Sequence, residues 1–294
     1  MKNKLLILTF VAGFYYNVAA QDELMDMFKE NEPETELVTA SFKGTKIVLG
    51  QSIENPAKGV LEFAIEHNFG KINQGAYEMW GLDQSTVRLG FKYGITKRLS
   101  VGLGRSSYGK TYDGSLKFKI LSQSKGSKNV PLTISFYSAA ELRSLKFPDD
   151  GIDYKFGHRM SYVSQLLIAR KFSGALSLQL TPAYVHRNLT QSSVDKNDVF
   201  SLGFGGRFKL NQRISMNFEY FHLFSDQVAG NPVSPLSFGC DIDTGGHIFQ
   251  LRLSNSQPMF DSGFISNTVD KWTEGGIFFG FTINRVFTIV KPEI

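Results

Sequence analysis

Residues 199–210 read VFSLGFGGRFKL and residues 213–220 read RISMNFEY, with only Asn211 and Gln212 between them. In the first run Phe200, Leu202, Phe204, Phe208 and Leu210 fall on one face, and Ser201, Gly203, Gly205, Arg207 and Lys209 on the other. In the second, Ile214, Met216, Phe218 and Tyr220 oppose Arg213, Ser215, Asn217 and Glu219. A period of two is the signature of a β-strand. Two such runs joined by two residues predict a tight antiparallel hairpin.

The same alternation recurs outward from this hairpin. Leu61, Phe63, Ile65 and Phe69 oppose Glu62, Ala64, Glu66 and Asn68. Val87, Leu89, Phe91 and Tyr93 oppose Arg88, Gly90 and Lys92, and Leu116, Phe118 and Ile120 oppose Ser115, Lys117 and Lys119. Leu176, Leu178, Leu180 and Tyr184 oppose Ser177, Gln179 and Thr181, and Ile277, Phe279, Phe281 and Ile283 oppose Phe278, Gly280 and Thr282. Soluble strands cluster near ~5–6 residues, whereas these runs match the ~9–11 tilted residues that cross a bilayer. Aromatic residues near the run ends (Phe69, Tyr93, Tyr108, Tyr184, Tyr220, Phe287) fit interfacial girdles. A sheet in lipid has no free edge, so it must close. The expected fold is all-β, a closed antiparallel transmembrane β-barrel.

Twelve strands are expected, near 59–69, 84–93, 99–108, 114–122, 131–141, 159–172, 175–187, 198–210, 213–224, 246–254, 259–267 and 275–289. The connections then alternate in length. Inner turns fall near 94–98, 123–130, 173–174, 211–212 and 255–258, and outer loops near 70–83, 109–113, 142–158, 188–197, 225–245 and 268–274. Short turns on one side and longer loops on the other are the barrel pattern. Residues 41–50 (SFKGTKIVLG) also alternate. Counting them as the first strand, with 259–267 as a loop, would place the long loops inside. They are read as an extra element, either a strand tucked into the barrel or a periplasmic lead-in.

Ahead of the barrel, Lys2 and Lys4 precede the apolar run Leu5–Tyr16, and Val18-Ala19-Ala20 forms a small-residue cleavage site. This is the pattern of a secretory signal peptide. Residues 21–40 carry Asp22, Glu23, Asp26, Glu30, Glu32, Glu34 and Glu36 against Lys29 alone. They read as a solvated acidic periplasmic tail. The expected organisation is a signal peptide over 1–20, the acidic tail over 21–40, a lead-in over 41–58 and the barrel over 59–290. The formal charge of +5 thus joins a basic signal, an acidic tail and a strongly basic barrel.

Composition agrees. The chain has 294 residues, 26 Phe, 28 Gly and one Cys. The lone Cys240 excludes an internal disulfide and a Cys-rich zinc module. No stretch after the signal approaches the ~18 apolar residues of a spanning helix. Phenylalanine is abundant while overall hydrophobicity is modest, as expected when every second strand residue faces lipid. The end of the last strand, through Ile283, Arg285 and Phe287, resembles the recognition signal of the outer-membrane barrel-insertion machinery.

The stretch TASFKGTKIVLGQSIENPAKGVLEFAIEHNFG (39–70) resembles the opening of a Bacteroidota family of outer-membrane β-barrels defined only as a domain of unknown function. So do GLDQSTVRLGFKYGITKRLSVGLGRSSYGKTYDG (81–114), QLLIARKF (165–172), SLQLTPAYVHRNL (177–189), KNDVFSLGFGGR (196–207) and DTGGHIFQLRLSNS (243–256). The resemblance spans about residues 39–289. It implies a barrel and an outer-membrane address. It implies no substrate and no catalytic residue.

The candidate site is the lumen. Its expected lining is Glu62, Glu66, Arg88, Lys92, Lys117, Lys119, Arg207, Lys209, Arg213, Glu219 and Arg252, eight basic against three acidic. Two readings stand. A twelve-stranded barrel is wider than the eight-stranded one that its own side chains fill, so a basic ring would select anions. Alternatively, the charges pair across the bore and plug it. No cofactor is expected, and the dispersed basic charge is not a nucleic-acid footprint. The run Asp241–His247 (DIDTGGH) reads either as a cation loop or as a loop closing onto a strand. The five histidines (His67, His158, His186, His222, His247) form no close ligand pair, and alternation puts His67 and His222 on the lipid face. The glycines of 102–104 and 203–206 alternate within strands and are not phosphate loops. Three functions follow: a narrow channel for small polar or anionic solutes, an accessory barrel holding a periplasmic partner through residues 21–50, and a lipid-acting enzyme using Ser and His. The expected partners are outer-membrane lipid, the insertion machinery and a small solute.

Overall fold

The computed structural model describes residues 34–190, 195–224, 228 and 232–291. The signal segment 1–20 and residues 21–33 of the acidic tail lie outside the described residues.

Twelve antiparallel strands close into one barrel. They are β1 (Val60–Lys71), β2 (Ser85–Gly94), β3 (Leu99–Ser106), β4 (Thr111–Leu121), β5 (Thr133–Arg143), β6 (Met160–Lys171), β7 (Leu176–Arg187), β8 (Asp198–Lys209), β9 (Ile214–Leu223), β10 (Leu236–Asp243), β11 (His247–Ser254) and β12 (Phe278–Thr288). Every strand pairs with its sequence neighbour, and β12 pairs with β1 from Val60↔Thr288 to Lys71↔Phe278 to close the seam. The end holding Val60 and Thr288 is the inner end, and the opposite end is the outer one. The hairpin 198–223 forms as expected but one residue out of the register of a two-residue turn, with Phe208 opposite Met216 and Phe204 opposite Tyr220.

The apolar face of each strand points outward. Phe91, Leu103, Phe118, Phe200, Phe204, Phe208, Phe238 and Leu251 are all exposed on the barrel exterior. In a water-soluble protein so many exposed rings would form an interaction patch. On a closed barrel they form the lipid-facing band. No described helix is long and apolar enough to cross a membrane.

Two expectations fail together. Residues 259–267 are not a strand. They hold a short buried helix, α1 (Asp261–Ser266), inside the barrel. The missing wall strand is β10, which occupies residues expected to lie in the outer loop 225–245. The expected inner turn 255–258 is instead the start of an outer connection, and the real inner turn is 244–246. As a result β11 runs opposite to the expected direction. The physical reason is visible in the residues. In MFDSGFISN the apolar groups Phe260, Phe264 and Ile265 recur at helical rather than strand spacing. In LSFGCDID the outward face is only Leu236, Phe238, Cys240 and Ile242, and two aspartates interrupt the run.

Residues 41–55 enter the lumen from the inner end as a bent chain, with one isolated bridge between Lys46 and Gln51. Just outside that end, Glu36–Leu37 pair with Ser124–Lys125. Residues 255–268 fold in from the outer end. The two inserts meet: Lys46 Nζ donates to the Met259 carbonyl at 3.0 Å, and Gln51 Nε2 to Asp261 Oδ2 at 3.1 Å. The core of this protein therefore lies inside the barrel. Phe42, Ile47, Val48, Leu49 and Ile53 of the first insert and Met259, Phe264 and Ile265 of the second pack with inward Val163, Leu167, Val185, Val199 and Phe221.

Candidate functional site

Alternation sends one polar side chain inward every second residue, so the wall faces the inserts with fixed polar groups at strand spacing. Most of the expected lining residues are in contact with the inserts. Glu66 is almost wholly buried and receives Lys46 Nζ at 2.8 Å and Arg88 Nη1 at 2.5 Å. The other face of Arg88 forks onto Asp113, Nε to Oδ1 at 3.1 Å and Nη2 to Oδ2 at 2.6 Å. Gly90 and Gly104 leave the room for this guanidinium, since a Cβ on Gly104 would lie 2.3 Å from Arg88 Nη2. Glu62 accepts from Thr45 Oγ1 at 2.6 Å, and Lys92 donates to Thr45 Oγ1 at 2.7 Å and Gln51 Oε1 at 3.2 Å.

Two wall cations bind backbone rather than carboxylates. Lys117 Nζ donates to the carbonyls of Ser52, Glu54 and Thr45 at 2.8, 3.1 and 3.2 Å. Arg207 Nη1 reaches the carbonyls of Ala40 and Ser41, both at 3.3 Å. Glu219 does the reverse. Its carboxylate accepts the backbone N–H groups of Leu49 at 2.7 Å, Gly50 at 3.0 and 3.1 Å, and Val48 at 3.1 Å. Arg252 binds Asn68 Oδ1 at 2.9 Å, Thr282 Oγ1 at 2.5 Å, the His67 carbonyl at 3.1 Å and Met259 Sδ at 2.9 Å.

The remaining three lining expectations separate. Lys119 and Lys209 are half-buried near the inner ends of β4 and β8. Arg213 is not on the wall. It sits exposed in the 210–213 turn, because the hairpin turns one residue later than expected. Tyr108, expected in a girdle, stands at the outer mouth with its ring 6.2 Å from Phe260 of the second insert. Burial raises its phenol above the ordinary value, which keeps it a neutral hydroxyl.

Sequence reasoning missed an acidic and amide set. Asp261 accepts from Tyr137 at 2.8 Å, Gln165 at 3.0 Å and Gln51. Glu141 accepts the Ser262 N–H at 3.0 Å and also its hydroxyl. Asp241 accepts from Asn217 and Gln250, both at 2.7 Å. This spends one of the carboxylates of the cation-loop reading. The other, Asp243, pairs with Lys43 at 2.5 Å and takes the Gly245 N–H at 2.9 Å, which closes the turn. Extending the polar face of β4 back two residues from Ser115 would have found Asp113.

With both inserts in place the middle of the bore keeps a cavity of only about 30 Å³, lined in part by Glu62, Glu66, Arg88 and Lys92. That holds roughly two waters. A larger cavity of about 220 Å³ opens at the outer end, above Phe260, Ser262 and Asn267 of the second insert. Arg143, Arg159, Arg187, His158 and Glu141 also line it. Among the histidines, His186 contacts Asp198 at 2.7 Å on the outward face, beside Tyr184.

No curated protein matches the sequence. Among solved structures the chain is similar to the NanC porin, at 9% identity and TM-score 0.47 over 78% of this chain and 100% of that one. It is similar to the KdgM porin at 8% identity and TM-score 0.45, over 78% and 98%. It is similar to the COG4313 outer membrane channel from Pseudomonas putida F1 at 12% identity and TM-score 0.43, over 80% and 97%. The family described as Membrane bound beta barrel domain (DUF5777) matches residues 42–287, from the first insert to the end of the seam, and the chain belongs to that family.

Proposed function

We propose that this protein is an outer-membrane channel for small polar or anionic solutes, held closed in this conformation by the two inserted segments. An even-stranded antiparallel barrel with both ends on one side is the outer-membrane architecture. The supporting observation is that the bore is filled by chain, not by its own wall. Remove the inserts, and the inward wall would present Arg88, Lys92, Lys117, Lys119, Arg143, Arg187, Arg207, Lys209 and Arg252 against Glu62, Glu66, Asp113, Glu141, Glu219 and Asp241, nine basic against six acidic. A wall of that composition favours anions.

The closed state is the resting one on this reading. Five buried apolar side chains of the first insert contribute on the order of 10 kcal/mol against withdrawal, at ~1.5–3 kcal/mol each, an upper bound. Opening therefore needs displacement by a ligand or a pull from the inner side. A second reading, an accessory barrel with a periplasmic partner, is favoured by one feature. The chain leaving the inner mouth is pinned by its Glu36–Leu37 pairing with Ser124–Lys125, where a partner could reach it.

Planar-bilayer recording tests the channel. Rare conductance steps are expected for the full protein and more frequent ones for Glu219→Gln, which weakens the grip on residues 48–50. Absence of steps from both, with folding shown by heat-modifiable gel migration, would reject it. Crosslinking from residues 34–40 in native envelopes tests the second reading.

A further inference from the structure

We propose that the outer cavity is a binding site for a small free monoanion that carries hydroxyl groups, of hydroxy-acid or sugar-acid size. The proposal names the solute class of the channel reading and rests on that reading for its purpose, not for its geometry.

Size comes first. The cavity of about 220 Å³ far exceeds the ~10–15 Å³ needed by one water. It falls below the ~300 Å³ at which drug-sized pockets begin.

Charge selects the anion. Three guanidinium groups line the cavity, from Arg143, Arg159 and Arg187. The carboxylate in its lining, Glu141, has both oxygens engaged by Ser262. Arg143 has no ion-pair partner among the described residues. Arg159 is fixed in place: its Nη1 donates to the carbonyls of Leu145 at 2.6 Å and Arg143 at 3.2 Å, and its guanidinium stacks 4.1 Å from the Phe147 ring. Arg187 is 5% exposed, gives Nη2 to the Lys196 carbonyl at 2.8 Å, and leaves Nε without a hydrogen-bond partner. Asp195 acts on Arg187 electrostatically from the adjoining loop. A planar carboxylate matches the fork of a guanidinium, and a rigidly held fork loses little freedom on binding.

The hydroxyl groups have their own partners. His158 Nδ1 accepts the Lys155 N–H at 3.3 Å, so the neutral ring presents Nε2–H as a donor. Ser161 and Asn267 add small polar groups, and the Phe147 and Phe260 rings add apolar surface for a carbon skeleton. Because Phe260 and Asn267 belong to the second insert, a bound solute would rest directly on the plug.

Calorimetric titration of the detergent-solubilised full-length protein decides it, with D-glucuronate as probe and D-glucose, inorganic phosphate and a glucuronate oligomer as comparisons. Glucuronate is expected to bind at least tenfold tighter than glucose, and more weakly as ionic strength rises. Arg143→Gln, at an exposed strand end, is expected to lose about tenfold in affinity. Lys97→Gln, in an inner turn, is expected to change nothing. Equal binding of glucose and glucuronate, no salt dependence, or an unchanged Arg143→Gln would overturn the site. Phosphate binding as tightly as glucuronate would overturn the hydroxyl requirement, and an oligomer binding more tightly would overturn the free-solute identity. Conductance is read separately: binding without conductance rejects the channel and keeps the site, while conductance without binding does the reverse.

Discussion

The carboxylate of Glu219 on β9 lies 2.7 Å from the backbone N–H of Leu49, a residue 170 positions earlier in the chain. The same side chain takes the N–H groups of Val48 and Gly50. One wall residue thus satisfies three consecutive buried donors of the first insert. Replacing it with Ala leaves those donors unmatched, at ~1–3 kcal/mol for a buried unsatisfied group. Glu219→Ala is expected to destabilise the inserted state by about 2–4 kcal/mol, read as faster proteolysis of residues 41–55 while the heat-modifiable barrel persists.

Arg88 is held between Glu66 and Asp113, all three buried. Removing the cation leaves Asp113 buried without its ion-pair partner and Glu66 with Lys46 alone. Arg88→Met is expected to destabilise the barrel by about 3–5 kcal/mol, seen as a lower temperature for the heat-modifiable gel shift. Restoring most of that stability by adding Glu66→Gln and Asp113→Asn would show that unpaired charge, not lost packing, is responsible. No recovery in the triple variant would argue for packing.

Gly50 sits where the insert packs directly against the wall. A Cβ there would lie 3.0 Å from the Phe221 ring and 3.2 Å from Glu219 Oε2. Its backbone is not left-handed, so the constraint is space alone. Gly50→Val is expected to cost about 1–3 kcal/mol by overpacking. Pairing it with Phe221→Leu should recover part of this, and the check is the unfolding midpoint in denaturant.

Cys240 tests the placement of β10. It pairs with Met216 and Leu251 on the lipid face. In proteoliposomes a membrane-partitioning maleimide should label it, and a charged water-soluble maleimide should not. Rapid labelling by the charged reagent would return residues 236–243 to an aqueous loop.

Much of this barrel is legible in alternation. The hairpin 198–223 and the strands carrying Arg88, Lys117 and Gln179 follow from a period of two, and the sidedness of the first nine strands follows from the alternation of short and long connections. What alternation cannot show is a lumen with its own apolar core. Val163, Leu167, Val185 and Phe221 point inward, so β6, β7 and β9 are apolar on both faces over part of their length. That two-faced character is itself a signal, since a water-filled bore would not tolerate it, and it implies a chain packed inside. The exchange of β10 for residues 259–267 has a simpler origin. Asp241 and Asp243 weaken a true strand, while Phe260, Phe264 and Ile265 make an inserted helix look membrane-bound. The contacts of Asp261 with Tyr137 and Gln165 join residues 124 and 96 positions apart, beyond any local pattern.

The position of the inserts in the chain bears on how the barrel is assembled. Residues 41–55 come just before β1 and residues 255–268 just before β12, and these are the two strands of the seam. All other joints are between sequence neighbours, whereas the seam must bring Val60 to Thr288 across nearly the whole barrel. Loop-closure entropy makes that joint the slowest to form. Each half of the plug is thus tethered to one lip of the gap while the gap is still open. The order of assembly loads the cylinder through its side before the side is sealed, and spares both segments from threading a finished ring.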